Sequence, residues 1–100
     1  MIRHIVMWHV KGDTAEERTQ VREQFRQAFE GLRGRIPGLL RLEVGLDAGI
    51  DADACDVLLL TEFADQASLQ AYGSHREHLR VRDALQNLRV SRHQIDCFVA

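Results

Sequence analysis

The nine residues from Ile2 to Val10 alternate without leaving a polar face. Ile2, His4, Val6, Trp8 and Val10 fall on one side of an extended chain, and Arg3, Ile5, Met7 and His9 on the other. Both rows carry large apolar groups, as expected of a strand covered on both sides. Asp56 to Phe63 repeats the feature, because Val57-Leu58-Leu59-Leu60 is continuously apolar. Any fold for this chain must bury two strands on both faces. It must do so with 100 residues, the size of one domain spanning 1–100.

The remaining segments have one-sided patterns. Asp13 and Thr14, followed by Glu16 and Glu17, form a helix-start signal. Val21, Phe25, Ala28 and Leu32, with Phe29 beside them, recur at helical spacing, and Arg18, Arg22, Glu23, Arg26 and Glu30 fall on the solvated side. The pattern predicts a helix over 14–33, with Gly34 as its C-cap and Pro37 preventing its resumption. Leu40, Leu42 and Val44 alternate with Arg41 and Glu43, predicting a half-buried strand over 39–45. Asp65 caps a short helix over 66–72, Gly73-Ser74 interrupts it, and a second helix over 76–88 carries His78, Val81, Leu85 and Leu88 on its apolar stripe. The last strand, 90–99, places Ile95, Cys97 and Val99 on one side and Asp96 and Phe98 on the other.

The order β-α-β-β-α-β is the ferredoxin-like split motif, an α+β fold with a four-stranded antiparallel sheet. Strands 1 and 3 are central in that sheet, where the two-faced patterns fall. Its helices cover only one face. The other face requires a partner, and a homodimer packed sheet against sheet supplies one.

Net charge is −2, the pI is about 6.2, and no basic stripe is present, which argues against a nucleic-acid partner. No apolar run is long enough to span a membrane, and the chain opens directly into a strand, so neither a membrane anchor nor a signal peptide is expected. Cys55 and Cys97 form no CxxC or zinc spacing and read as two buried thiols in a reducing cytoplasm. Asp47, Asp51, Asp53 and Asp56 lack the spacing of a calcium loop and read as a solvated loop.

Chemistry concentrates in Tyr72-Gly73-Ser74-His75-Arg76-Glu77-His78, a phenol and two imidazoles within seven residues. These groups move protons near neutral pH. They are also ordinary half-buried residues in many proteins. Tyr72 makes a packing stripe with Leu69, and His75 reads as a structural residue bonding a backbone group near the helix break. His9 and His93 read as surface or interface residues. His75 and His78 at i,i+3, with His4 or Asp96, have the residue types of a metal site, but no third ligand is supported by spacing, so no metal or other cofactor is expected.

Ile2-Arg3-His4-Ile5-Val6-Met7, Ile36-Pro37-Gly38, Leu42-Glu43-Val44-Gly45, Glu62-Phe63 and Tyr72-x-x-His75-x-x-His78, in that order and over nearly the whole chain, resemble the stress-responsive A/B barrel (Dabb) family. The resemblance implies a ferredoxin-like protomer and a dimeric α+β barrel. It is similar in particular to the family's plant polyketide cyclases, which close a linear poly-β-keto thioester by aldol condensation without a cofactor. Carried over residue by residue, the resemblance implies catalytic roles for Tyr72, His78 and Asp96 and a place for His4 beside the substrate. The chain departs at Val57, where those cyclases have a further histidine, and at Arg76, where they have proline. On this reading His78 is the base, Asp96 holds its ring, and Tyr72 donates to a carbonyl oxygen. His4, Trp8 and His75 line the cavity of a small apolar or carbonyl-rich ligand. Two function classes follow: a small dimeric enzyme acting on a carbonyl-rich metabolite by acid/base chemistry, and a non-catalytic dimer, a stress-associated or ligand-holding module whose cavity is incidental to catalysis. An open cavity containing both Tyr72 and His78 discriminates between them. Monooxygenases and isomerases of the same barrel architecture remain a fold-level alternative.

Overall fold

A computed structural model describes residues 1–99. In chain order it contains β1 (Ile2–Val10), α1 (Ala15–Glu30), β2 (Leu39–Leu46), β3 (Val57–Phe63), α2 (Gln66–Gly73), α3 (Arg76–Leu85), a 3-10 turn (Gln86–Leu88) and β4 (Arg89–Phe98). The four strands form one antiparallel sheet in the order β2-β3-β1-β4. The two strands with apolar residues on both faces are the central pair.

The helices cover one face of this sheet. Beneath them β1 contributes Ile2, Val6, Trp8 and Val10, and β3 contributes Val57, Leu59 and Phe63. Helix α1 presses Phe25 and Phe29 against Trp8, with ring centroids 5.4 and 5.1 Å away. Aromatic pairs at that spacing add to the free energy of area burial.

Local chemistry sets the element ends. Thr14 Oγ1 accepts the Glu17 N–H at 3.1 Å, and Glu17 turns back to accept the Asp13 N–H at 2.7 Å. Helix α1 ends three residues earlier than the spacing predicts, because Gly31 rather than Gly34 takes the C-cap position. Gly34, at φ +78°, belongs to the turn that follows. Leu40 is also displaced from its expected buried row. The β2–β3 register slips between Leu39 and Arg41, and this bulge leaves Leu40 61% exposed. Asp56 does not belong to the solvated loop. It is buried, accepts the Val10 N–H at 2.8 Å, and takes Nε and Nη2 of Arg22 at 2.9 and 2.6 Å, which ties α1 to the end of β1. The cysteines are free but not buried: Cys55 is half-buried just before β3, and Cys97 is exposed.

The opposite sheet face carries Ile5, Met7, Leu58, Leu60 and Ile95 side by side, as the strand registers require. The Arg3–Glu62–Arg41 ion pairs border it at one end, and the His9–His93 ring pair (6.4 Å between centroids) at the other. Met7 and Ile95 are exposed there. Among the described residues no helix is long and apolar enough to cross a membrane.

Candidate functional site

Between the sheet and the helices lies a cavity of about 50 Å³, room for roughly four water molecules. Its floor is β1, through His4, Val6 and Trp8, with Leu59 of β3 beside them. Phe25 and Phe29 close it on the α1 side, and Tyr72, His78 and Leu85 on the side of α2 and α3. Arg82, Gln86, Arg89 and Arg92 complete the wall. Tyr72 and His78 therefore both line this cavity.

The break in the helix brings these two side chains together. Six residues of continuous helix would point them apart, since neighbours on one face are three or four apart. Helix α2 ends at Gly73 and α3 restarts at Arg76, which brings the two ring centroids to 4.4 Å. The break also leaves the Gly73 carbonyl free to bond His78 Nδ1 at 3.1 Å. A carbonyl only accepts, so Nδ1 carries the proton and Nε2 is left as the basic nitrogen. Burial holds the His78 pKa below its ordinary value. The Gly73 bond acts in the opposite sense, while Arg82 and Arg92 reinforce the effect of burial. His78 is therefore a neutral base at pH 7.

Tyr72 packs against Phe63 with ring centroids 5.1 Å apart and is 3% exposed. Its phenol oxygen is buried without a hydrogen-bond partner among the described residues. Burial raises its pKa, with Arg92 pulling weakly in the other direction, so the phenol stays protonated and keeps a proton to donate.

Asp96 does not hold His78. The β1–β4 register places it directly opposite His4, and its Oδ1 lies 2.6 Å from His4 Nδ1. Its other oxygen accepts from Gln94 at 2.8 Å. Burial alone would raise the Asp96 pKa; the bonds from His4 and Gln94 outweigh that and hold it below the usual carboxylate range. The site thus has two separately oriented imidazoles, His78 held by a backbone carbonyl and His4 by a carboxylate. His4 is buried, and its ring lies 6.2 Å from that of Tyr72.

His75 does not line the cavity. Its Nδ1 accepts the Glu77 N–H at 3.0 Å and caps α3, which uses the nitrogen that cavity chemistry would need. Among the described residues no group of three or more His, Cys, Asp or Glu side chains is placed to hold a metal ion. Trp8 lines the cavity as expected. The residues that sequence reasoning missed are Arg82, Gln86, Arg89 and Arg92. A usable signal was present: 78, 82, 85, 86 and 89 recur at helical spacing, and 92 and 96 share one face of the last strand.

The chain matches the family model described as the Stress Responsive A/B Barrel Domain over residues 2–99. Comparison with curated proteins finds no match. Among solved structures, it is similar to a dimeric protein of unknown function and ferredoxin-like fold from Bacteroides fragilis. That pair has a TM-score of 0.86 and 27% identity over 98% of this chain and 95% of that one. A Dabb family protein with a ferredoxin-like fold from Mesorhizobium loti superposes with a TM-score of 0.78 at 24% identity, over 99% and 96% of the two chains. A hydroxynitrile lyase from Passiflora edulis has the same fold, with a TM-score of 0.80 at 16% identity over 99% and 93%.

Proposed function

The chain belongs to the stress-responsive A/B barrel (Dabb) domain family, and on that premise we propose that it is a homodimer whose protomers act on a small carbonyl compound by cofactor-independent acid/base chemistry. The observation that carries this reading is the buried, unpartnered phenol of Tyr72 beside a neutral His78, both opening on one cavity. With no partner among the described residues and a place on the cavity wall, the Tyr72 hydroxyl is free to bond to what the cavity holds. The unpartnered apolar sheet face supports the dimer, as does the dimeric state of the Bacteroides fragilis relative. A part in stress responses and a cytoplasmic site belong to the same reading, the first through the family's description and the second through the free thiols.

In the reaction, His78 Nε2 removes a proton from the carbon next to the substrate carbonyl. Tyr72 donates its O–H to that carbonyl oxygen as enolate charge develops there. The enolate carbon then bonds to a second carbonyl carbon of the same molecule, an aldol closure. The new alkoxide takes back the proton from His78, which returns to its neutral form. His4, oriented by Asp96, contacts the second carbonyl, and Trp8 forms the apolar wall. Asp96 acts through His4 and is a positioning residue.

Exchange of the α-protons of 2-pentanone in D2O, followed by proton NMR, tests the first half of this cycle. The native protein should accelerate exchange over buffer, and His78→Asn should reduce it about 10²- to 10⁴-fold. The active form is neutral imidazole, and burial lowers its pKa. The rate should therefore be flat at neutral pH and fall only as the pH drops below 6.5. Exchange no faster with the native protein than with His78→Asn would leave the non-catalytic, ligand-holding dimer as the function.

A further inference from the structure

Three guanidinium groups, those of Arg82, Arg89 and Arg92, border the cavity, and no carboxylate lines it. Among the described residues no Asp or Glu oxygen lies within salt-bridge distance of Arg89 or Arg92, and Arg82 reaches only exposed Asp83, at 3.2 Å. Asp96, the acidic residue on the same face of β4, has both oxygens engaged by His4 and Gln94. The positive charge is felt at the centre of the site, because Arg82 and Arg92 both help to lower the His78 pKa. Arg92 is itself partly desolvated and repelled by Arg89, with Asp96 and Tyr72 acting in the opposite sense. Arg82 and Arg92 are exposed and Arg89 is half-buried, so the three guanidinium groups stand at the mouth of the cavity, where an entering anion meets their combined charge.

We propose that the ligand of this cavity is a keto acid, whose carboxylate is clamped by Arg89 and Arg92 while its carbonyl meets Tyr72. This rests on the cavity reading above and adds the substrate class to it. Guanidinium groups suit the task because their planar donors match both oxygens of a carboxylate. Arg92 is the cross-strand neighbour of Trp8, and Phe25 and Phe29 pack on Trp8 from α1, so a bound acid group is held by the guanidinium groups while its carbon chain lies against the adjoining aromatic rings.

The test is a titration with 4-oxopentanoate, with its neutral counterpart 2-pentanone, and with inorganic phosphate, read from the Trp8 indole and His78 ring signals by NMR. The keto acid should bind about 10- to 100-fold more tightly than the ketone, the range for a charge-assisted hydrogen-bonded pair. Arg92→Gln should erase that advantage, so that the keto acid binds no more tightly than the ketone to the same variant, and Arg92→Lys should restore part of it. Arg89→Gln is the second variant and should act in the same direction. Equal binding of the two ligands, no binding of either, or an Arg92→Gln protein that keeps the preference would each overturn the proposal. Displacement of the keto acid by phosphate at equal concentration would assign the guanidinium groups to phosphate and overturn the carboxylate. The two readings fail separately: keto-acid binding without α-proton exchange removes the catalysis and keeps the clamp, and exchange without a carboxylate preference does the reverse.

Discussion

At the scale of single residues, Tyr72 makes two opposite demands on the molecule. Its ring is part of the core, and its hydroxyl is a buried donor without a partner. Tyr72→Phe keeps the ring and removes the hydroxyl. Thermal unfolding should show a variant as stable as the native protein or more stable by about 1 kcal/mol. Ketone α-proton exchange should fall about 10²-fold in the same variant, as when one oxyanion donor is lost. A Tyr72 that is only a core residue would give unchanged exchange. The approach of Tyr72 to His78 was legible in the sequence, since residue type and the Gly73-Ser74 break were enough to bring the two together, but the lack of a partner for the hydroxyl was not. The partner of Asp96 was harder to read. Period two assigns a residue to a face, but the pairing of His4 with Asp96 depends on register between strands 92 positions apart, which no local pattern encodes. The arginines escaped notice for a different reason: an arginine on a helix or an edge strand usually marks the solvated side, and its long stem lets it border a cavity from there.

Among the elements, the turn before β2 decides where α2 sits. Gly38 has φ +78°, its carbonyl accepts the Ala64 N–H at 3.0 Å, and a Cβ added to it would run into the Ser68 side chain on the first turn of α2. Gly34 has the same φ but faces open space. The pair is an internal control. Gly34→Ala should lose about 1–2 kcal/mol, the price of a left-handed backbone. Gly38→Ala should lose that and a further 1–3 kcal/mol, roughly, from the clash. Urea unfolding of both variants measures the difference, and equal losses would mean that α2 is free to shift. Element type and order were legible because the hydrophobic periods are strong. The early end of α1 and the Leu40 bulge were not, because one residue more or less in a turn hardly alters a periodic pattern.

For the whole molecule, the uncovered sheet face is the governing fact. Ile95 is 54% exposed in the protomer, so a charge placed there should leave the protomer folded and disrupt sheet-to-sheet packing. Sedimentation of the native protein should give a species near twice 11.4 kDa. Ile95→Arg should give a monomer with unchanged far-ultraviolet circular dichroism. A native monomer, or a dimer indifferent to Ile95→Arg, would place the interface elsewhere. The two-faced pattern of β1 and β3 was enough to foresee this requirement, because one layer of helices covers one face only.

The two imidazoles of the site differ in when they can be set. His78 is fixed by a carbonyl five residues away, a contact that a growing chain can make as soon as α3 forms. His4 waits for Asp96, 92 positions further along the chain. During synthesis, therefore, β1 leaves the ribosome carrying a histidine whose partner is added only 92 residues later. Until β4 pairs with β1, the nascent protein holds only half of its candidate chemistry.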